Sequence, residues 1–459
     1  LYFVNPPQDE NHTWKEFEMT EAFENIRNHL GSDSTKWRVL IFPGATEIAM
    51  ELRQSLAWCK QVMLFSAGSA VSNHAPFAFA RHFVIPEVGQ PRWFDELSAV
   101  IEKNQITHIF PAHDDVLLAL SENAANLKAK VITSPFETCR LTRSKSATLR
   151  RLAGELPTPE LFATAEAVKT WPVFMKPDRG QGSQRTDMAK NANQLSAMLE
   201  RDSDRIILEY LEGPEFTVDC FSDRDCGLQY VCGRQRHRIR SGIAMNSAVV
   251  ADNRFQEYAE KISKLIELHG AWFFQLKADR RRVLKVMEVA PRIGGTSALS
   301  RVRGVNLPLL SLYESDRLPV SLLPCDYSVE IDRALTNRYR HTIRYRTLYV
   351  DFDDTLVVHG RLNTELVKLL FQGINRGIRL VLLTRHAGDL NAQLRFWRIE
   401  KLFDEIIHLK SNESKADFIK ETDAVFIDDS FAERKAVHDA KGIVTLDPSM
   451  IELLFEENW

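Results

Sequence analysis

Between residues 36 and 135 of the 459-residue chain, short apolar runs alternate with longer stretches of helical spacing. Arg38-Val-Leu-Ile-Phe42, Gln61-Val-Met-Leu-Phe65, Thr107-His-Ile-Phe110 and Lys130-Val-Ile-Thr133 have the length of buried strands, and Glu47 to Cys59 has the spacing of a helix. Strands separated by helices predict a parallel sheet. A second group follows, in which Trp171-Pro-Val-Phe-Met-Lys176 leads into a glycine loop and Arg205-Ile-Ile-Leu-Glu209 ends in polar groups. Near the end, Leu348-Tyr-Val350, Leu380-Val-Leu-Leu383 and Ala424-Val-Phe-Ile427 each run straight into an acid or a hydroxyl. Parallel strands buried on both faces read as continuous apolar runs, and chemistry collects at their carboxyl ends. The pattern predicts an α/β multidomain protein with parts at 1–135, 136–330 and 345–459.

Composition narrows the class. Hydrophobic residues make up 44% of the chain and charged residues 26%, and the formal net charge is -3. These are ordinary values for a globular protein, and the charge argues against a bulk polyanion as partner. No apolar run approaches the eighteen or so residues of a membrane span. Leu1-Tyr-Phe-Val4 has no basic stretch and no long apolar core, so a signal peptide is not expected. The cysteines at 59, 139, 220, 226, 232 and 325 show no C-x-x-C spacing, which predicts reduced thiols and a cytoplasmic location.

Asp351 and Asp353 stand two residues apart at the end of the Leu348 run. On a strand such positions share a face, but here the strand ends after Asp351, so the turn decides where Asp353 points. Two close carboxylates repel unless a cation or a shared proton relieves them. One can attack phosphorus while the other handles the proton; the plain alternative is a strand with an Asp-rich turn. Thr384 ends the second run, Asp428 and Asp429 end the third, and Ser414-Lys415 lies between. The order acid pair, hydroxyl, lysine, acid pair resembles the haloacid dehalogenase (HAD) superfamily of phosphohydrolases over roughly residues 345 to 459. The resemblance implies a Rossmann-like domain without a large cap. It implies Asp351 as nucleophile, Asp353 as general acid/base and Thr384 on the phosphoryl group. Lys415, with Lys410 as its competitor, would steady the phosphoaspartate, and Asp351, Asp353, Asp428 and Asp429 would bind Mg²⁺.

Lys176 is followed by Gly180, Gly182 and Ser183, and glycine lets backbone amides approach a phosphate. No G-x-G-x-x-G follows the first strand, so a dinucleotide site is not expected. His113-Asp114-Asp115, at another strand end, is expected to cap a helix or build a wall. Lys145 upstream, the glycine loop, and Glu209, Glu215 and Val286-Met-Glu-Val-Ala-Pro-Arg-Ile-Gly-Gly295 downstream resemble the ATP-grasp superfamily, over residues 36 to about 330. The resemblance implies a parallel-sheet domain followed by an α+β domain that sandwiches ATP. It puts Lys145 and Lys176 on phosphates and Gly180, Gly182 and Ser183 in the covering loop. Glu209 and Leu211 would meet the adenine edge, Glu215 the ribose, Gln275 and Glu288 a Mg²⁺, and Arg292 the γ-phosphate or an acyl phosphate. Two departures matter. Ala290 replaces the asparagine of the usual Glu-x-Asn-x-Arg run, and Arg185 stands where a further glycine is common, there either to limit loop closure or to touch phosphate.

In Gly233-Arg-Gln-Arg-His-Arg-Ile-Arg-Ser-Gly242, the residues Arg234, Arg236, Arg238 and Arg240 alternate, and on a regular strand they share one face. Such a row suits a carboxylate or phosphate of a substrate; the alternative is a solvated face paired with acids. Aromatic interleaving is lacking, so nucleic acid is not expected. Arg338-Tyr-Arg-His-Thr-Ile-Arg-Tyr-Arg346 is a basic linker, either a docking surface or solvated. The resulting expectation is a bifunctional enzyme: an ATP-dependent carboxylate–amine ligase working through an acyl phosphate, joined to a Mg²⁺-dependent phosphatase of the same pathway. The alternative is a non-catalytic ATP sensor that regulates the phosphatase. Expected partners are small carboxylates and amines, some already phosphorylated, without membrane, and a homodimer is compatible with the sequence.

Overall fold

The computed structural model describes residues 36–180 and 185–456. They pack as two units, one of residues 36–71 and 81–333, the other of residues 72–80 and 334–456.

The first unit opens with β1 (Trp37–Phe42), β2 (Val62–Gly68), β3 (His82–Val84), β4 (His108–Pro111) and β5 (Lys130–Val131), a parallel sheet in the order β3-β2-β1-β4-β5. The predicted apolar runs supply four of these strands, and Leu40, Phe42, Phe65 and Ile109 fill the core beneath them. The strand order reverses between β1 and β4, so the carboxyl ends of these two strands flank a crevice. Helix Glu47–Leu56 starts directly after β1, where Thr46 Oγ1 accepts from the Ala49 amide at 3.0 Å. Helix Asp114–Glu122 starts directly after β4, where a His113 ring nitrogen accepts from the Asp115 amide at 3.2 Å.

Two antiparallel sheets follow. One holds β6 (Leu161–Phe162), β7 (Val173–Pro177), β8 (Asp187–Ala189) and β9 (Arg205–Glu209), in the order β6-β9-β7-β8. The other holds β10 (Glu215–Asp223), β11 (Gly227–Arg240), β12 (Ile243–Val249), β13 (Gly270–Ala278), β14 (Leu284–Ala290) and β15 (Glu330–Asp332), in the order β14-β13-β10-β11-β12-β15. Helix Asn253–Leu265 lays Phe255, Tyr258 and Ile262 into a core with Val218, Trp272 and Phe274. Burying one such side chain stabilises by about 1.5–3 kcal/mol. Gly233 makes the contact possible, because a Cβ there would lie 2.1 Å from the Phe255 ring.

In the second unit, β16 (Thr347–Val350) is followed by a small hairpin of β17 (Val357–Val358) and β18 (Arg361–Leu362). Then come β19 (Arg379–Thr384), β20 (Glu405–His408), β21 (Ala424–Ile427) and β22 (Val444–Leu446). The five longer-range strands form a parallel sheet in the order β20-β19-β16-β21-β22. Leu348, Val350, Leu380, Leu382, Val425 and Ile427 enter one core, and Tyr349, Val381, Leu383 and Phe426 the other. This period of two, with both faces covered, is why the strands read as unbroken apolar runs. No insertion larger than the β17–β18 hairpin separates β16 from helix Thr364–Asn375.

Residues 334–345 form neither helix nor strand. Two arginines of this basic linker pack within the second unit: Arg338 bonds His74, and Arg340 lies 4.4 Å over the Phe77 ring and donates to the Pro76 carbonyl at 3.0 Å. Among the described residues no helix is long and apolar enough to cross a membrane.

Candidate functional sites

A cleft of about 930 Å³ in the first unit is lined by residues of both antiparallel sheets and by the helix starts after β1 and β4. Lys176, near the end of β7, is half-buried there. Burial, helped by the nearby Lys145 charge, pushes its ammonium down to about 8. Lys145 opens helix Lys145–Leu152, capped by Ser144 Oγ, which accepts from the Ala147 amide at 3.1 Å. Its Nζ donates to the Gly180 carbonyl at 2.7 Å. Asp178 ties that helix start to the glycine loop, accepting from the Ser146 amide and from Ser144 Oγ, both at 2.7 Å. Sequence reasoning passed over Asp178, although an acid between a strand-end lysine and a glycine loop is a usable signal.

The loop residues Gly182 and Ser183 lie outside the described residues. Gly180 is close to Pro177, whose Cβ would be 3.1 Å from an added Cβ. Arg185 has φ 54°, the left-handed conformation that glycine adopts freely. Its Nε donates to Asp202 at 2.7 Å, and Arg185 is not among the residues lining the cleft.

On the apolar side, Phe174, Leu208, Leu211 and Met287 line the cleft. Glu209 is paired with Lys285 at 2.6 Å, and Glu215 is paired with Arg236. Gln275 and Glu288 are register partners across β13 and β14, and Gln275 Oε1 accepts from Arg236 at 3.3 Å. Ala290 is buried opposite Phe273. Arg292 forms a fork with Asp114, with Nη2 to Oδ2 at 3.1 Å, and lies 5.2 Å over the Phe273 ring. Burial raises the Asp114 carboxyl, but Arg292 outweighs it and holds the group below the usual carboxylate range. Asp114 therefore builds wall while His113 caps.

The arginine row departs from the expected single face. The β11–β12 register runs Arg236↔Ser247 and then Arg238↔Asn246, so a bulge at His237 breaks the alternation. Arg234 and Arg236 stay on the cleft and Ile239 joins them, whereas Arg238 and Arg240 are exposed and off it. Arg238 instead pairs with Asp332 at 2.7 Å. Arg234 is 2% exposed, paired with Asp219 and bonded to Thr296 Oγ1 at 2.7 Å, so its charge is already matched.

The second unit has a tighter constellation. Asp351 follows β16, Asp428 and Asp429 follow β21, and Thr384 ends β19, three neighbouring strands. Lys415 is buried and donates to Asp351 Oδ1 at 2.6 Å and to Asp428 Oδ2 at 2.5 Å. Lys410 is exposed, with its backbone amide on Glu413 at 2.8 Å. Burial pushes the Asp351 carboxyl up to about 6; Lys415 opposes the rise and Asp428 adds to it. Burial likewise raises Asp428 against the pull of Lys415. Ligand oxygens of Asp351, Asp428 and Asp429 all lie within 4.8 Å of one another. Arg434 Nη1 fixes the strand end by donating to the carbonyls of Asp428 and Asp429 at 2.6 Å each.

Asp353 is not part of that cluster, contrary to the expectation that it shares the metal. The chain has left the strand, and the carboxylate meets His386 instead, with Nδ1 2.9 Å from Oδ2 and 3.0 Å from Oδ1. The His386 ring packs edge-on against Phe352 at 5.2 Å, and His408 Nε2 bonds the His386 carbonyl at 2.7 Å. His386 was not legible as a site residue. Its one signal is its place two residues after Thr384.

A family described as "ATP-grasp in the biosynthetic pathway with Ter operon" matches residues 201–331. No curated protein matches the chain. Among solved structures, the biotin carboxylase of Campylobacter jejuni in a β-γ-ATP complex is 17% identical over 62% of this chain and 72% of its own, with TM-score 0.52. The N5-carboxyaminoimidazole synthetase of Staphylococcus aureus with ADP is 13% identical over 62% and 79%, with TM-score 0.53. The biotin carboxylase domain of the Hydrogenobacter thermophilus 2-oxoglutarate carboxylase, with MgADP and bicarbonate, is 14% identical over 61% and 69%, with TM-score 0.50. The family match and the shared architecture agree: the chain contains the ATP-grasp fold.

Proposed function

We propose that the first unit is an ATP-dependent ligase that activates a carboxylate, and that the second is a phosphohydrolase with Asp351 as nucleophile. The observation that carries the ligase reading is Lys176, a half-buried cation that makes no ion pair or hydrogen bond among the described residues, in one cleft with Lys145, Glu288 and Arg292. An unpaired charge partly withdrawn from water is costly, and an anionic ligand removes the cost. A substrate carboxylate oxygen would attack the γ-phosphorus of ATP, and ADP would leave. An amine would then attack the acyl phosphate carbon, releasing phosphate and forming an amide. Lys145, Lys176 and Arg292 would offset charge on the transferred group. Mg²⁺ takes few protein ligands beside phosphates, so Glu288 and Gln275 suffice to hold it, and it would neutralise phosphate charge.

Support for the phosphohydrolase is the set Asp351, Asp428 and Asp429 at the carboxyl ends of adjacent parallel strands, with Lys415, from the start of helix Lys415–Phe418, bonded to two of them. Three close carboxylate oxygens with one lysine fit a hard divalent cation, which would neutralise the phosphoryl oxygens. Asp351 would attack phosphorus while Asp353 protonates the leaving oxygen. Asp353 would then deprotonate the water that hydrolyses the aspartyl phosphate. Fusion of the two units favours a phosphorylated substrate or product of the same pathway.

The test is ADP formation from Mg-ATP with pooled carboxylates and amines, comparing wild type with Glu288→Ala. Pool-dependent ADP that vanishes in the variant is expected. A sensor is the second reading, favoured by Ala290; it predicts ATP binding without ADP and a phosphatase rate that changes with ATP. If Asp351→Asn accumulates a phosphorylated ligation product, the two reactions are sequential.

A further inference from the structure

We infer that Glu47 and Arg333 hold the two charged ends of an α-amino acid in the cleft of the first unit, as the amine component of ligation. The chemistry rests on the ligase reading above; the binding does not.

Glu47 is the first residue of helix Glu47–Leu56, at the carboxyl end of β1. A carboxylate is favoured there by the helix dipole. Arg333 follows β15, and its amide is fixed to the Met245 carbonyl at 2.8 Å. Both side chains line the cleft, and both approach one glycine. A Cβ on Gly295 would lie 3.3 Å from Glu47 Cγ and 3.4 Å from Arg333 Nη1. An added Cβ there would crowd Glu47 and touch Arg333.

Opposite charges this close ordinarily pair. Among the described residues, however, neither the Glu47 carboxylate nor the Arg333 guanidinium has a hydrogen bond or an ion pair, and Arg333 Nη1 is sealed from water without a partner. Arg292 attracts Glu47 electrostatically, but its own fork is taken by Asp114. The Arg333 side chain that lines the cleft is a half-buried cation with no protein partner, and an anionic ligand that meets it there offsets the cost of keeping it unpaired. The ligand must also satisfy a carboxylate on the other side of the gap. A dicarboxylate or a phosphate would suit Arg333 and be repelled by Glu47; a diamine would suit Glu47 and be repelled by Arg333. A molecule with an ammonium and a carboxylate on one carbon satisfies both.

The test uses the full-length protein. Thermal shift and equilibrium dialysis would be run with each of the twenty L-amino acids, with and without the non-hydrolysable nucleotide AMP-PNP. At least one amino acid is expected to bind, and its deaminated acid and its carboxamide are expected to bind at least about thirtyfold more weakly, the scale for truncating one partner of a buried charge pair. Glu47→Gln and Arg333→Gln should each weaken the amino acid by a similar factor, with AMP-PNP binding reporting that the variants are folded, and Arg333→Lys should recover part of the loss. Three results would overturn the inference: no amino acid bound in either condition, the deaminated acid bound equally well, or an unchanged affinity in Glu47→Gln. If an amino acid binds but AMP-PNP does not, the subsite stands and the ligase reading falls.

Discussion

Lys176, half-buried near the end of β7 in the first unit, and Lys415, buried at the start of helix Lys415–Phe418 in the second, are both lysines of a site, but their surroundings differ. Lys415 is held between two carboxylates at 2.6 and 2.5 Å, and a third acid stands beside them. Lys176 has no such partner among the described residues, and burial lowers its affinity for a proton. In the second unit the cation is already neutralised by groups that include the proposed nucleophile. In the first unit no described carboxylate does so, and on the proposed reading an anionic ligand would. A site of the first kind carries its own reagent; a site of the second kind organises reagents that arrive from solution. The contrast predicts that the second site fails when a protein atom is removed, and that the first fails by losing hold of its ligand.

The sharpest way to break this comparison is Asp351→Asn. Phosphatase activity should fall by at least about 10³-fold, as expected for loss of a covalent nucleophile, with ADP formation by the first unit unchanged. A variant that retains phosphatase activity removes Asp351 as nucleophile, and one that also loses ADP formation removes the independence of the sites. Lys176→Met comes next. Loss of a charged group on a transferring phosphoryl should lower kcat/KM for ATP by about 10²–10³-fold in the ADP assay. An unchanged value would mean that Lys176 does not touch phosphate.

His386→Asn has a smaller, more selective effect. If His386 positions Asp353 to protonate the leaving oxygen, alkyl phosphates with poor leaving groups should slow by about 10²-fold, the low end for general acid catalysis. p-Nitrophenyl phosphate, whose leaving group needs little protonation, should slow far less. Equal slowing of both would assign His386 a merely structural role.

The same contrast explains what could be read from the chain. The parallel sheets were legible because strands buried on both faces leave continuous apolar runs, as at Leu348-Tyr-Val350 and Ala424-Val-Phe-Ile427. The acids and hydroxyl that follow such runs were legible because a strand end fixes where the next residue goes. Legibility failed where the backbone departs from regularity. A bulge at His237 sends Arg238 and Arg240 off the face that Arg234 and Arg236 keep. The turn after Asp351 carries Asp353 to His386 and away from the acid cluster. Glu47 and Arg333 lie 286 positions apart in numbering and meet only through Gly295, a proximity that no local pattern encodes.

The smallest effect concerns carboxylates that hold the fold and take no part in either site. Asp316 accepts from Lys130 at 2.7 Å and from Trp37 Nε1 at 2.8 Å, and meets His108 at 3.1 Å. Burial raises its carboxyl, but these donors and charges outweigh burial and hold it at about 2, below the ordinary carboxylate value near 4. Asp351 moves the other way, up to about 6, because burial dominates there. A carboxylate whose folded value is depressed stabilises fully above its unfolded value, and that stabilisation is lost as pH falls toward the folded one. Asp316→Asn should therefore cost about 1–3 kcal/mol at pH 7 and progressively less from pH 4 toward pH 2. Hydrogen exchange in peptides covering β1, β4 and β5 would read the loss, with β16, β19 and β21 as the internal reference. A cost that stays constant between pH 7 and pH 3 would mean that the charge on Asp316 contributes nothing, and that the loss comes only from hydrogen bonds the amide does not remake.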